Sequence, residues 1–258
     1  GHSNVAIGYQ AGQSINTAHE NTIVGYQAGQ NVTTADNNVI MGFQAGQSLT
    51  TARYNVLIGD GAGKNLTAAN DNNENVFIGN VAGEMADEDG DGVNQSATDN
   101  VYIGSSTGRY LDDGAFNVII GKEAGKSSSG TQRNAIRNVI LGMEAAKDIT
   151  TGDDNVILGY QAGDEITSAP RNTLIGYQAG DTITNGEQNI LIGYGADVNS
   201  TAGSNRIGIG YNVSVDTDHK TVIGASTQTA VEFGGDAHVS SSAASTGSFG
   251  RVNAGRVK

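Results

Sequence analysis

The stretch Asn155-Val-Ile-Leu-Gly-Tyr-Gln-Ala-Gly163 returns 17 residues later as Asn172-Thr-Leu-Ile-Gly-Tyr-Gln-Ala-Gly180. Working outward, the same unit opens at Asn4, Asn21, Asn38, Asn55, Asn75, Asn100, Asn117, Asn138 and Asn189, and two looser units start at Arg206 and Lys220. The starts lie 17 residues apart, except for steps of 20, 25 and 21 in the middle and a last step of 14. A fixed period of this kind is the signature of a stacked-repeat architecture, and helix-pair repeats need units of more than about 30 residues. A 17-residue unit suits one coil of a β-solenoid. Val, Ile, Leu and Thr fill the segment after the Asn, as a pleated surface prefers, and no segment keeps a helical period. The fold expected is all-β: a parallel β-solenoid of about thirteen coils.

One glycine recurs in all thirteen units: Gly8, Gly25, Gly42, Gly59, Gly79, Gly104, Gly121, Gly142, Gly159, Gly176, Gly193, Gly210 and Gly224. A corner needing positive φ or close backbone approach explains such a pivot. A second glycine, Gly12 and its equivalents, is kept in nine units. After it comes an apolar–Thr stretch such as Val32-Thr33-Thr34 or Ile149-Thr150-Thr151, read as a second short strand. The opening Asn suits a left-handed corner, or an amide ladder running from coil to coil.

Composition agrees with a thin core. The 258 residues include 38 Gly, 1 Pro, no Cys and no Trp, with 5% aromatics. Without Cys there is no disulfide framework and no thiolate metal site. Lys+Arg 14 against Asp+Glu 27 gives a net charge of −13, which lacks the basic footprint of a nucleic-acid binder. No apolar window approaches the roughly 18 residues of a membrane span.

Side chains alternate along a strand. Val5 and Ile7 share one face, and the middle residue takes the other. The middle row reads Ala6, Ile23, Ile40, Leu57, Phe77, Tyr102, Ile119, Ile140, Ile157, Leu174 and Leu191, so both faces ask for burial. A single solenoid has one interior. We therefore expect this middle row to be an exposed seam, the interface of a side-by-side homotrimer. At about 4.8 Å per coil the seam runs roughly 60 Å.

The run Asn4-Val-Ala-Ile-Gly8 and its relatives resemble the YadA-like head repeats of trimeric autotransporter adhesins, and runs similar to Asn172–Gly180 occur in phage tail fibres and virion fibres. The resemblance covers about residues 4–228. It implies a left-handed parallel β-roll with three chains side by side, on a virion or an extracellular cell surface. It implies attachment to a host-surface glycan or protein, with other fibre or virion proteins as partners. The family unit is nearer the 14-residue step seen here only from Arg206 to Lys220. The segment Ser245-Thr-Gly-Ser-Phe-Gly-Arg-Val resembles connectors of marine phage fibres and favours a tail fibre over a bacterial adhesin head. A solenoid domain over 1–228 and a Ser/Gly-rich connector or cap over 229–258 follow. Because a full coil starts almost at once, a segment of a longer fibre is expected.

Extra residues fall at one corner, in 64–74, 84–99 and 126–137, and in that same block the aromatic after the pivot glycine is lost. Tyr9, Tyr26 and Phe43 hold it early, and Tyr160, Tyr177, Tyr194 and Tyr211 late; the middle has Asp60, Asn80, Ser105, Lys122 and Met143. This waist reads either as a contact surface for a receptor or as a tolerant loop region. The Tyr rows either stack sugars or cover the corner coil on coil.

Asp87-Glu-Asp-Gly-Asp-Gly92 matches the opening of a calcium loop, with Asp87, Asp89, Asp91 and Asn94 as candidate ligands. Thr98 stands where an EF-hand has Glu, and the competing reading is a solvated acidic loop. Gly121-Lys-Glu-Ala-Gly-Lys-Ser127 is one residue short of a phosphate loop and lies in register with the repeat. The histidines His2, His19, His219 and His238 are scattered, and no nucleophile elbow occurs. No catalytic residue is expected, and a surface-polysaccharide depolymerase with an inter-chain site is the minor rival. Adjacent threonines such as Thr33-Thr34 point to opposite faces, which argues against a flat ice-binding ladder.

Overall fold

The chain divides into two compact units, Gly1–Thr227 and Gln228–Lys258. The structure, a computed structural model, describes residues 1–67, 74–85, 97–127 and 134–224, all in the first unit.

Each repeat contributes one three-residue strand directly after its opening Asn or the residue in its place. In chain order these are β1 (Val5–Ile7), β2 (Thr22–Val24), β3 (Val39–Met41), β4 (Val56–Ile58), β5 (Val76–Ile78), β6 (Val101–Ile103), β7 (Val118–Ile120), β8 (Val139–Leu141), β9 (Val156–Leu158), β10 (Thr173–Ile175) and β11 (Ile190–Ile192). The two-residue strands β12 (Asp197–Val198) and β14 (Ser214–Val215) alternate with β13 (Ile207–Ile209) and β15 (Thr221–Ile223). β1 to β11, β13 and β15 form one 13-stranded sheet in which every strand pairs in parallel with its repeat neighbour; β12 and β14 form a second, two-stranded sheet. Thirteen stacked strands bound twelve turns of a parallel β-solenoid with a period of about 17 residues.

Register is independent of the insertions. Val156 pairs with Thr173 at the regular spacing, and Val56 with Val76, Val76 with Val101 and Val118 with Val139 across the longer ones. The extra residues leave the ladder intact because they enter at a single corner.

Left-handed backbone explains why the strands stop at three residues. The residue before each opening Asn has positive φ, 60° at Arg171 and 38° at Glu74, and the pivot Gly176 has φ 141°. A Cβ on Gly176 would lie 2.2 Å from the carbonyl oxygen of Gly193, so the pivots stack backbone on backbone. Among the described residues the expected second strand does not form: β12 and β14 start at the position of the second glycine, before the apolar–Thr stretch. The apolar–Thr stretch is a turn that still bonds coil to coil: Thr150 N–H donates to Thr167 O at 2.9 Å, and Thr167 N–H to Thr184 O at 2.9 Å.

The interior is narrow. One coil supplies Asn155, Ile157, Ala162, Ile166 and Ala169, all fully buried. Small Ala rows facing Ile rows close-pack with few aromatics, which accounts for the composition. The exceptions are Phe77 and Tyr102, stacked in the core with centroids 4.8 Å apart. Burial pushes the Tyr102 phenol well above its ordinary range.

The opening Asn forms the amide ladder. Asn155 N–H and Nδ2 both donate to Asn138 Oδ1 at 2.9 and 3.0 Å, and Nδ2 also donates to Ala169 O, 14 residues on, at 2.9 Å. The ladder therefore ties coil to coil and closes each coil on itself. It runs from Asn4 to Asn189 and ends at Arg206, whose N–H donates to Asn189 Oδ1 while its buried guanidinium bonds Asp218 Oδ1, Asn199 Oδ1 and Val215 O.

The middle row of the strands reverses expectation. Ile23, Ile40, Leu57, Phe77, Tyr102, Ile119, Ile140, Ile157, Leu174 and Leu191 are fully buried inside the single chain. Only Ala6, on the end coil, is exposed. These residues are the core and not the outer seam. Because the buried Asn lies two residues before each of them, it faces the same way, and the ladder carries the middle residue inward with it.

Candidate contact surface

With the middle residue inside, the first and third residues of every strand face out. Val156 and Leu158 straddle Ile157, and Thr173 and Ile175 straddle Leu174. Two parallel apolar rows therefore run the length of the sheet at the same register. Val5 and Ile7 are exposed at one end and Ile209 and Ile223 near the other. The waist keeps both rows, as Val76 and Ile78 or Val118 and Ile120 show.

Beside these rows stand the aromatics. Tyr160, Tyr177, Tyr194 and Tyr211 stack with centroids 5.2, 4.7 and 5.3 Å apart and planes within 20°. Tyr9, Tyr26 and Phe43 stack in the same way at 5.2 and 5.3 Å. Each inner ring has both faces against neighbouring rings, so the rows offer edges and hydroxyls outward and not free faces. This geometry favours the corner-covering reading over sugar stacking. Next to them run side-chain amides: Gln27 Nε2 donates to Gln10 Oε1 at 2.8 Å, Gln44 Nε2 to Gln27 Oε1 at 2.9 Å, and Gln161 Nε2 to Glu144 Oε2 at 2.7 Å.

The remaining candidates separate cleanly. Gly121 and Gly125 are turn residues of the repeat, with φ 138° and 56°, and Lys126 Nζ lies 3.5 Å from Glu123. The phosphate-loop likeness is thus used up by the corner. His19 stacks on His2 at 4.1 Å. Among the described residues no group of three or more His, Asp or Glu side chains is placed to hold a metal ion, and no helix is long and apolar enough to cross a membrane. Asp87, Asp89, Asp91 and Asn94, with the calcium expected there, lie outside the described residues, as does the connector over 229–258.

Both apolar faces of the strand are legible in the sequence, and the structure buries the middle row that was expected outside. The signal that settles them was present. Thr22, Thr173 and Thr221 occur in the outer row, where water is tolerated, while the middle row from Ile23 to Leu191 carries no aliphatic hydroxyl. A scan against protein-family models finds no match, and searches of curated proteins and of solved structures find no significant match either.

Proposed function

We propose that the chain is a structural and adhesive fibre segment that assembles side by side as a homotrimer and presents its corners and waist to a host surface. The observation that carries this reading is the double row of outward side chains along thirteen strands, all Val, Ile, Leu or Met except Thr22, Thr173 and Thr221. Contiguous exposed apolar surface on a soluble scaffold marks an interface. Three residues of strand by thirteen rungs is a flat face of about 10 by 60 Å. That is on the order of 600 Å² per chain, close to the roughly 800 Å² per partner of specific interfaces once the flanking rings are added. A parallel three-fold arrangement sets identical rungs at one level, so row meets row along the full stack.

The resemblance of the repeats to trimeric adhesin heads and phage tail fibres supplies the setting: a virion tail fibre, with a bacterial adhesin head as the alternative. The regular ends act as spacers, and the waist, with its insertions and its loss of ring stacking, faces the receptor. Incubation with whole bacterial cells tests this reading. The expected result is chain recovered in the cell pellet with no rise in soluble reducing ends. Release of soluble saccharide would favour the depolymerase reading instead, and recovery of neither would remove the adhesive part.

A further inference from the structure

A cluster of carboxylates lies away from the strand face, at the corner around the second glycine. Asp164 and Asp181 follow the second glycine in two successive coils and Asp197 replaces that glycine in the next, with Asp148, Glu165 and Thr182 beside them and Lys147 as the nearby cation. Asp197 stands where nine coils carry Gly and one carries Ala146. Here the corner becomes strand β12, with Asp197 N–H donating to Val213 O at 2.8 Å. This is also where the 17-residue period gives way to 14 and the Asn ladder ends at Arg206.

The carboxylate of Asp197 is partnered on one side only. Its Oδ2 accepts from Thr182 Oγ1 at 2.5 Å, while Oδ1 is out of contact with water and has no donor. The rung above offers no charge of opposite sign. Ser214 pairs with Asp197, Lys220 is bound to Asp216 at 2.7 Å, and Arg206 is bound to Asp218. A half-buried carboxylate with one orphaned oxygen, stacked on further carboxylates one rung apart, is relieved by taking up a proton.

We infer that the column Asp164–Asp181–Asp197 is a proton-operated latch at the junction between the 17-residue and 14-residue coils, tightening the last coils as a neutral medium is acidified. Burial, with Asp181 alongside, pushes the Asp197 carboxyl up to about 6. Burial and the carboxylates of Asp181, Glu165 and Asp148 also push Asp164 up. An acid whose folded value lies above its unfolded one binds more protons folded than unfolded, so stability rises as pH falls through about 6 toward 4. Asp154, Asp216 and Asp218 are held low by Arg137, Lys220, and Ser204 N–H with Arg206, so they act only below that window.

The test is thermal melting of the full chain at pH 7.5 and 5.0, with chelator present, alongside hydrogen exchange at residues 197–199. The natural chain should gain about 2–4 °C on acidification, with added protection at 197–199 and none at Thr22–Val24. Asp197→Asn, and Asp197→Gly as a second variant carrying the residue of the other coils, should lose that gain. An equal gain in both variants would overturn the latch. So would calcium at pH 7.5 reproducing the acid effect in the natural chain, since the column would then hold a cation and not a proton. Neither readout depends on the adhesive reading.

Discussion

At the scale of single residues, the account turns on backbone that side chains cannot enter. Gly176→Ala places a Cβ against the Gly193 carbonyl at φ 141°, and no rotamer relieves a backbone clash. Denaturant unfolding should show a loss of more than about 3 kcal/mol. Gly163→Ala is the milder control. Its φ of 56° is close to the 48° of Ala146, which already occupies the equivalent corner, and the first atom met is the flexible tip of Leu174. About 1–2 kcal/mol is expected there. Asn155→Ala should cost about 2–3 kcal/mol, because Asn172 N–H and Ala169 C=O are left buried without partners. Val81 runs the other way. It is β-branched yet held at φ 47°, so Val81→Asn should raise stability by about 1 kcal/mol. The pivots and the opening Asn were legible in the sequence because one geometry is demanded thirteen times of the pivot and met by Asn in eleven units, and few residue types satisfy it.

At the scale of the element, the strand was legible and its orientation was not. Val156-Ile-Leu158 is apolar at all three positions, so alternation alone gives no inside. The structure decides through the neighbour: Asn155 is fully buried and two residues from Ile157, so both point inward. The expected second strand failed for a related reason. Val32-Thr33-Thr34 has strand-like composition, but the left-handed corner at Gly29 before it and another at Asn37 after it leave room only for a turn. Propensity yielded to the corners on either side. The orientation makes a paired prediction. Ile157→Asp buries an unpartnered charge and should cost more than about 3 kcal/mol. Leu158→Asp sits on the outer row, where melting of dilute chain should change little while self-association is lost. Equal destabilisation by the two substitutions would mean that the outer row is also core.

At the scale of the solenoid unit, stability comes from identical rungs added in series, each bonding mainly to its neighbours. Insertions at one corner leave the ladder untouched, which is why the waist departs in length and surface chemistry while Val76 to Val139 keep register. The period, the class of fold and the waist followed from counting residues between glycines. The acidic junction did not, because Asp197 looks like one more polar corner residue until burial isolates its carboxylate. What the stack leaves unanswered within one chain is the outer double row, and the central claim is that other copies of the chain cover it. Light scattering of the natural chain and of Leu158→Asp tests this most directly. The account predicts three times the 26.4 kDa chain mass for the first and a lower mass for the second. A natural chain that scatters as 26.4 kDa across the concentration range would contradict it.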